Sequence, residues 1–411
     1  MRNMALFGTK RDVRPSTGAM GERPGFAYLP ADALYFDSAC QTMRPQTVID
    51  ALTAYYTTYN ACGERVHYAW GREVDEQVSA TREAVLRRLG LSPRRYATSF
   101  TLNTTYGLNL LLTQLPTGRY RRVVTTHAEH NSVFLPTIAA ARRLGIPRVL
   151  LDRTPDGAVL YGDGDLADAV VVVTAMNNVD GSPTPNLAEL VRDAHRAGGI
   201  VLVDAAQAFS HDPDLLRGVE ADAVCFSAHK AYGASLGVVA ATRHLLESLE
   251  LGFVGGGQVA SVETDDYTLL AEPHSRLEPG LQAWGEIVAL RAALAFAGDF
   301  PKTAGETIPE RERRLGGILY EGLSELPNLR LLNDRPSAVL TFAPERVDAH
   351  RLATFLSHAG VMVRSGWFCA HHWLKEERGL PPLVRFSIGA HTTDEDVTRA
   401  LGILTPLLRG L

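Results

Sequence analysis

Lysine is scarce in this chain of 411 residues. Of its 41 basic residues only four are lysines, Lys10, Lys230, Lys302 and Lys375. Arginine carries the surface charge, so each lysine raises the question whether an amine, as distinct from a cation, is needed there. Cysteine is scarce too: Cys40, Cys62, Cys225 and Cys369 contain no C-x-x-C pair and do not form a disulfide framework. Long apolar runs are missing. The stretch Ala169-Val-Val-Val-Val173 is strand-sized, far short of the ~20 residues of a membrane helix. An excess of positive charge is also missing. With 46 acidic residues against 41 basic ones the formal net charge is −5, which gives no general electrostatic reason to bind nucleic acid or anionic lipid. The start, MRNMALFGTKRD, lacks the apolar core of a secretory signal. The expectation is a cytoplasmic, reduced protein with no nucleic-acid or membrane partner.

What is present suits an ordered globular protein of two domains: 45% hydrophobic and 21% charged residues. Residues 1–33, with Pro15, Pro24 and Pro30, read as an N-terminal arm, expected to be mobile or draped on the surface. From residue 34 to 299 a large domain is expected. Strands are predicted at 122–125, 148–151, 169–174, 200–204, 223–227 and 237–241, with helices at 45–59, 74–89, 105–112, 133–144 and 186–197. Uniformly apolar strands separated by amphipathic helices indicate an α/β fold with a largely parallel sheet covered on both faces. Ligands in such sheets sit beyond the carboxyl ends of the strands, where Asp204 and Ser227 fall. From 300 to 411 helices at 310–323, 348–358 and 394–407 mix with strands at 338–342, 361–364 and 383–388, which suggests a smaller α+β domain.

Three motifs are set aside. Gly233-Ala-Ser235-Leu-Gly237 matches the G-x-S-x-G elbow of serine hydrolases, but an apolar strand follows where the elbow needs a helix. His371-His372 beside Cys369 suggests a metal site, yet no second cluster has the spacing to complete it, so no metal is expected. Gly255-Gly-Gly257 is not followed by G-K-[ST] and reads as a turn with close backbone approach.

The informative stretch runs from Asn177 to Gly233. One apolar strand ends in Asp204, with Gln207 just beyond, and the next ends in Ser227-Ala-His229-Lys230. Two strand ends thus present a carboxylate and an amine to one crevice. Pyridoxal 5′-phosphate (PLP) asks for this pair, a lysine for its aldehyde and a carboxylate for its ring nitrogen.

The chain here resembles the class V aminotransferase superfamily of fold-type-I PLP enzymes, and within it the group II cysteine desulfurases and selenocysteine lyases. The likeness covers residue 34 to the C-terminus in ordered blocks: YFDSACQTMRP, RVHYAWGREVDEQVSATREAV, NTTYGLN, AEHNS, SAHKAYG, VGGGQV, RLEPG and VRSGWFCA. It implies a large domain on a mainly parallel seven-stranded sheet, a smaller C-terminal α+β domain, and a homodimer. Lys230 would carry the cofactor and move protons. Asp204 would pair with the ring nitrogen, and His130 would stack on the ring. Asn178 and Gln207 would flank it, Gln207 as a donor to the phenolic oxygen. Thr104 and Thr105, at a helix start after Asn103, would cradle phosphate together with Ser227 and His229. Arg385 would grip the substrate carboxylate as a two-pronged donor. In VRSGWFCA, Cys369 follows Arg364 by five positions, and the resemblance makes it the thiolate that takes sulfur from cysteine as a persulfide, with alanine released. Arg364 and His371 would favour that thiolate.

Departures from the family pattern bear on the substrate. Gly280-Leu281-Gln282 stands where the family has G-T-P, Trp367-Phe368 replaces a His pair, and Tyr106 replaces a glutamate. These aromatics either pack a loop or shape a site for something bulkier than free cysteine. The implied activity is therefore a cysteine desulfurase acting on L-cysteine or a related amino acid, with a thiol or protein as sulfur acceptor. The alternative is a PLP-dependent C–S β-lyase, epimerase or aminotransferase in which Cys369 is not the nucleophile.

Overall fold

The computed structural model describes residues 23–64, 66–162 and 164–410. Its centre is a seven-stranded sheet. In spatial order the strands are Tyr96–Thr101, Gly237–Thr242, Ala223–Ser227, Ile200–Asp204, Ala169–Thr174, Arg122–Thr126 and Arg148–Leu151. Only Gly237–Thr242 runs against its neighbours; the rest are parallel to one another. Side chains along each strand serve two cores in alternation. Val171 and Val173 join one hydrophobic cluster while Val170 and Val172 join the other. All four are fully buried, and burial of each valine side chain is worth about 1.5–3 kcal/mol. This explains the unbroken apolar runs: a sheet with helices on both faces has no polar side.

Six of the seven central strands fall within a residue or so of the sequence reading, which does not contain the edge strand Tyr96–Thr101. A helix that the sequence reading does not contain, Trp284–Ala304, packs against the helices Gln46–Thr58 and Ala69–Leu89. The expected domain boundary at residue 300 falls inside it, and Gly305 ends it in the left-handed conformation (φ 76°). The C-terminal part carries a four-stranded antiparallel sheet, Leu329–Leu331, Val339–Pro344, Leu383–Ser387 and Arg364–Gly366 in spatial order. Leu34–Tyr35 pairs in parallel with Val361–Met362, and Leu34 and Phe36 pack in the C-terminal core. The expected single strand at 361–364 is therefore two short ones with different partners.

Of the arm expected to be mobile or draped on the surface, residues 1–22 lie outside the described residues. Residues 23–33 are anchored to the folded body. Phe26 is fully buried against Tyr232, Phe296 and His391, and Arg23 meets Asp396 at 2.6 Å. The buried Phe26 ring, the Arg23–Asp396 ion pair and the turn hydrogen bonds of this segment act together against its chain entropy.

His391 ties these parts together. One ring nitrogen, Nε2, lies 3.0 Å from the Tyr35 carbonyl oxygen, and Nδ1 is buried with no partner among the described residues. Burial lowers its pKa to about 4. The unfolded chain, with histidine near 6.5, then binds the extra proton first, so this contribution to stability is present above about pH 6.5 and lost as pH falls toward 4. Urea titrations between pH 7 and pH 4 are expected to show that loss, and His391→Asn to show a shallower pH slope along with lower stability at pH 7. An unchanged slope in the variant would contradict the assignment.

Candidate active site

Every expected site residue of the large domain leaves the carboxyl end of a parallel strand. Thr104 lies three residues beyond Thr101, His130 four beyond Thr126, Asn178 four beyond Thr174, and Lys230 three beyond Ser227, while Asp204 ends its strand. The antiparallel strand also contributes. Gly237 passes so close to the Asn103 backbone that a Cβ would approach its nitrogen to 2.5 Å, so glycine lets the Asn103 turn settle over the sheet. Asn103 then caps the helix Thr104–Thr113, accepting from the Tyr106 N–H at 2.9 Å.

These elements surround a cavity of about 260 Å³, into which Arg364, Phe368, Cys369 and Arg385 reach from the C-terminal part. Thr104, Thr105, His130, Asn178, Ser227, His229 and Lys230 line it as well. Asp204 and Gln207 are buried and sit behind the wall. Burial lowers the pKa of Lys230, and the Asp204 charge opposes that shift. Burial raises the pKa of Asp204, with the Ala206 N–H, Lys230 and Ser132 pulling it back. His130 is held at about 3, by burial first and then by Lys230 and the two arginines. It is a neutral ring at physiological pH.

Ser132 is the residue that sequence reasoning missed. Its Oγ lies 2.9 Å from Asp204 Oδ2 and 2.7 Å from His130 Nδ1, and its N–H donates to that same Nδ1 at 3.0 Å. Since Nδ1 accepts from the backbone, the ring proton sits on Nε2. The signal was present as the residue two after His130 in AEHNS, but nothing in a sequence says that this hydroxyl meets a carboxylate 72 positions away. Glu129 fixes the same corner. Its buried carboxylate accepts from Arg153, Thr126 and the Thr174 N–H.

Other roles are redistributed. Gln207 donates through Nε2 to the Ala39 carbonyl at 2.8 Å and leaves Oε1 buried with no partner among the described residues. One of its two N–H groups is thereby committed away from the donor role expected of it, because the Ala39 carbonyl can only accept. Asn178 donates to the Phe368 carbonyl at 2.8 Å, so it braces the segment bearing Cys369. Arg385 spends Nη1 on the Asn178 carbonyl and Nη2 on Asp37, at 2.8 and 3.0 Å, and its Nε is buried with no partner among the described residues. The Thr104 and Ser227 hydroxyls bond each other at 2.7 Å. Arg364, expected beside Cys369, directs its guanidinium onto the Cys40 sulfur instead, and His371 meets Asn131. The tertiary fold brings His372 and Glu377 to His127, from a segment 245 positions away.

Phe368 and Cys369 both adopt left-handed backbone, with φ 48° and 59°. Consecutive non-glycine residues in that region cost energy and persist where the surroundings hold them. Here the Asn178 amide takes the Phe368 carbonyl, and the Asn131 N–H takes the Cys369 carbonyl at 2.6 Å.

An α/β sheet with its strand ends gathered around an amine, a carboxylate and a thiol is the frame of a fold-type-I PLP transferase. The class V aminotransferase family model matches residues 34–400, and the chain belongs to that family. Among its relatives is a probable cysteine desulfurase of Vibrio cholerae, 29% identical over 380 residues, covering 90% of this chain and 92% of that protein. A probable cysteine desulfurase of Xylella fastidiosa is 30% identical over 389 residues, covering 92% and 90%. The solved apo cysteine desulfurase of Thermococcus onnurineus superposes with a TM-score of 0.84 at 26% identity, over 99% of this chain and 100% of that one.

Ser132→Ala leaves the buried Asp204 carboxylate one hydrogen bond short, so a loss of about 1–3 kcal/mol is expected in denaturant titration. Ser132→Thr, which keeps the hydroxyl, should recover most of it. Equal losses in both variants would mean that packing, not the hydrogen bond, is at stake.

Proposed function

We propose that this chain is a PLP-dependent cysteine desulfurase that takes sulfur from L-cysteine or a close relative, holds it as a persulfide on Cys369 and releases alanine. The observation that carries the reading is that one cavity gathers the Lys230 amine and the Cys369 thiol in front of the buried Asp204 carboxylate.

The residues fit the cofactor. Among the described residues Asp204 has no ion pair within 4 Å, so its buried charge suits a cationic ring nitrogen. Arg385 brings a buried guanidinium to the cavity wall, a positive partner for an anion there. Lys230, Asp204, His130 and Asn178 would hold the ring, and Thr104, Thr105, Ser227 and His229 the phosphate. Bound there, PLP supplies an electron sink beside the carbon that bears the substrate amine.

The chain's own groups do the rest. Burial favours the neutral amine of Lys230, which can take a proton from the substrate Cα and return it to the product. Arg385, fixed by Asp37 and the Asn178 carbonyl, orients the substrate carboxylate. Cys369 Sγ bonds to the substrate sulfur as the carbon–sulfur bond breaks, so cysteine and a thiol become alanine and a persulfide. Neutral His130 contributes no positive charge of its own beside the reacting carbon.

The persulfide then passes to a thiol or an acceptor protein, in the cytoplasm where free cysteines persist. No helix among the described residues is long and apolar enough to cross a membrane. The working form is a homodimer. Phe253, Val254 and Leu281 are exposed on two loops joined by the hydrogen bond from the Gly280 N–H to the Gly256 carbonyl, and contiguous exposed apolar groups of this kind mark protein interfaces. The small domain combines the C-terminal sheet with residues 34–36.

Incubating the cofactor-loaded protein with cysteine and following alanine and enzyme-bound sulfane sulfur tests the reading. Lys230→Ala should lose the cofactor's visible band and lower turnover by about 10²–10⁴-fold, and Cys369→Ser should carry no sulfane sulfur. Pyruvate released in place of alanine, and unaffected by Cys369→Ser, would replace the desulfurase with a β-lyase.

A further inference from the structure

His127 follows the strand Arg122–Thr126, while His372 and Glu377 open and close the π-helical turn His372–Glu377 that begins three residues after Cys369. Nδ1 of His127 lies 3.2 Å from Nε2 of His372 and 3.3 Å from Oε1 of Glu377, and the third edge, from His372 Nε2 to Glu377 Oε1, is 3.2 Å. The three ligand-type atoms thus form a nearly equilateral triangle. A tetrahedral ion with bonds of about 2.0–2.1 Å sets its ligand atoms about 3.3–3.4 Å apart.

Hydrogen bonding alone does not satisfy this triangle. If both ring nitrogens carry protons, each can donate to the carboxylate, but they then face each other donor to donor. If one carries a proton, the bare nitrogen faces the carboxylate oxygen, acceptor to acceptor. If neither does, all three edges are repulsive. In every case one edge sets like against like. A single cation above the triangle makes all three contacts favourable.

The surroundings orient the two rings for that task. Phe134 stacks on His372, with centroids 4.3 Å apart and planes 22° from parallel. The other nitrogen of His127 points toward the exposed carboxylate of Asp152, 4.0 Å away. Both histidines are partly buried and Glu377 is open to solvent, which leaves room for a fourth ligand from water. The turn is π-helical, a local geometry found disproportionately at functional sites.

We propose that His127, His372 and Glu377 bind a divalent transition metal of the zinc class, with water completing the tetrahedron. The ion would join the segment just beyond Cys369 to the end of the central sheet. It stands outside the cavity lined by Lys230 and does not depend on the desulfurase reading.

Titration of the purified, cofactor-loaded protein with Co²⁺ tests this. One equivalent should bind with the visible absorption of a tetrahedral ion, and Zn²⁺ should displace it. The Cys40→Ser/Cys369→Ser double variant should keep that equivalent, since no sulfur is a ligand. His127→Asn and Glu377→Gln should each weaken binding at least tenfold while their metal-free thermal midpoints stay close to the parent's. Should His127→Asn fail to fold, the solvent-open Glu377 carries the test alone. The site is refuted if no saturable equivalent binds, if binding disappears with the cysteines, or if Glu377→Gln binds as tightly as the parent.

Discussion

A carboxylate buried at the end of a central strand governs this molecule. Asp204 cannot stay charged there on hydrophobic surroundings alone, so the structure commits a serine hydroxyl, a backbone N–H and the field of a buried amine to it. Those commitments place the other groups. Ser132 can reach Asp204 only if the Asn131–Leu144 helix starts where it does, and that start fixes His130 as its cap. Lys230 must turn back over the sheet edge to lie within range, which the short 3₁₀ turn Ala228–Lys230 achieves. The site is an answer to one electrostatic problem, and the sheet supplies the rigidity that keeps the answer in place.

Much of the frame was legible because it rests on local rules. Four consecutive valines in one strand, and uniformly apolar strands separated by amphipathic helices, announce an α/β sheet without any partner being known. Lys230 and Asp204 stood out because lysine is rare in this chain and both fall at strand ends. The pairing of strands was not legible, nor was the reversal of Gly237–Thr242, since order across a sheet depends on contacts far apart in sequence. The helix Trp284–Ala304 escaped for a different reason. Packed against two other helices, it carries apolar residues on several faces, so the polar stripe that identifies a surface helix is weak.

Side-chain partnerships were the least legible. Arg364 stands five residues from Cys369 in sequence yet lies against the sulfur of Cys40, from a segment 324 positions away. Gln207 has the residue type for a donor, but a carbonyl at Ala39 already claims one of its N–H groups. His371-His372 offered half of an idea whose other half lay on a distant strand end. In each case the partner was decided by tertiary packing.

The anchoring of Cys369 constrains the traffic through this protein. With the carbonyls on either side of its peptide unit held by Asn178 and Asn131, the cysteine cannot swing outward to meet a visitor without breaking both bonds and abandoning its turn. On the proposed function, a sulfur acceptor has to come to the thiol where this turn holds it.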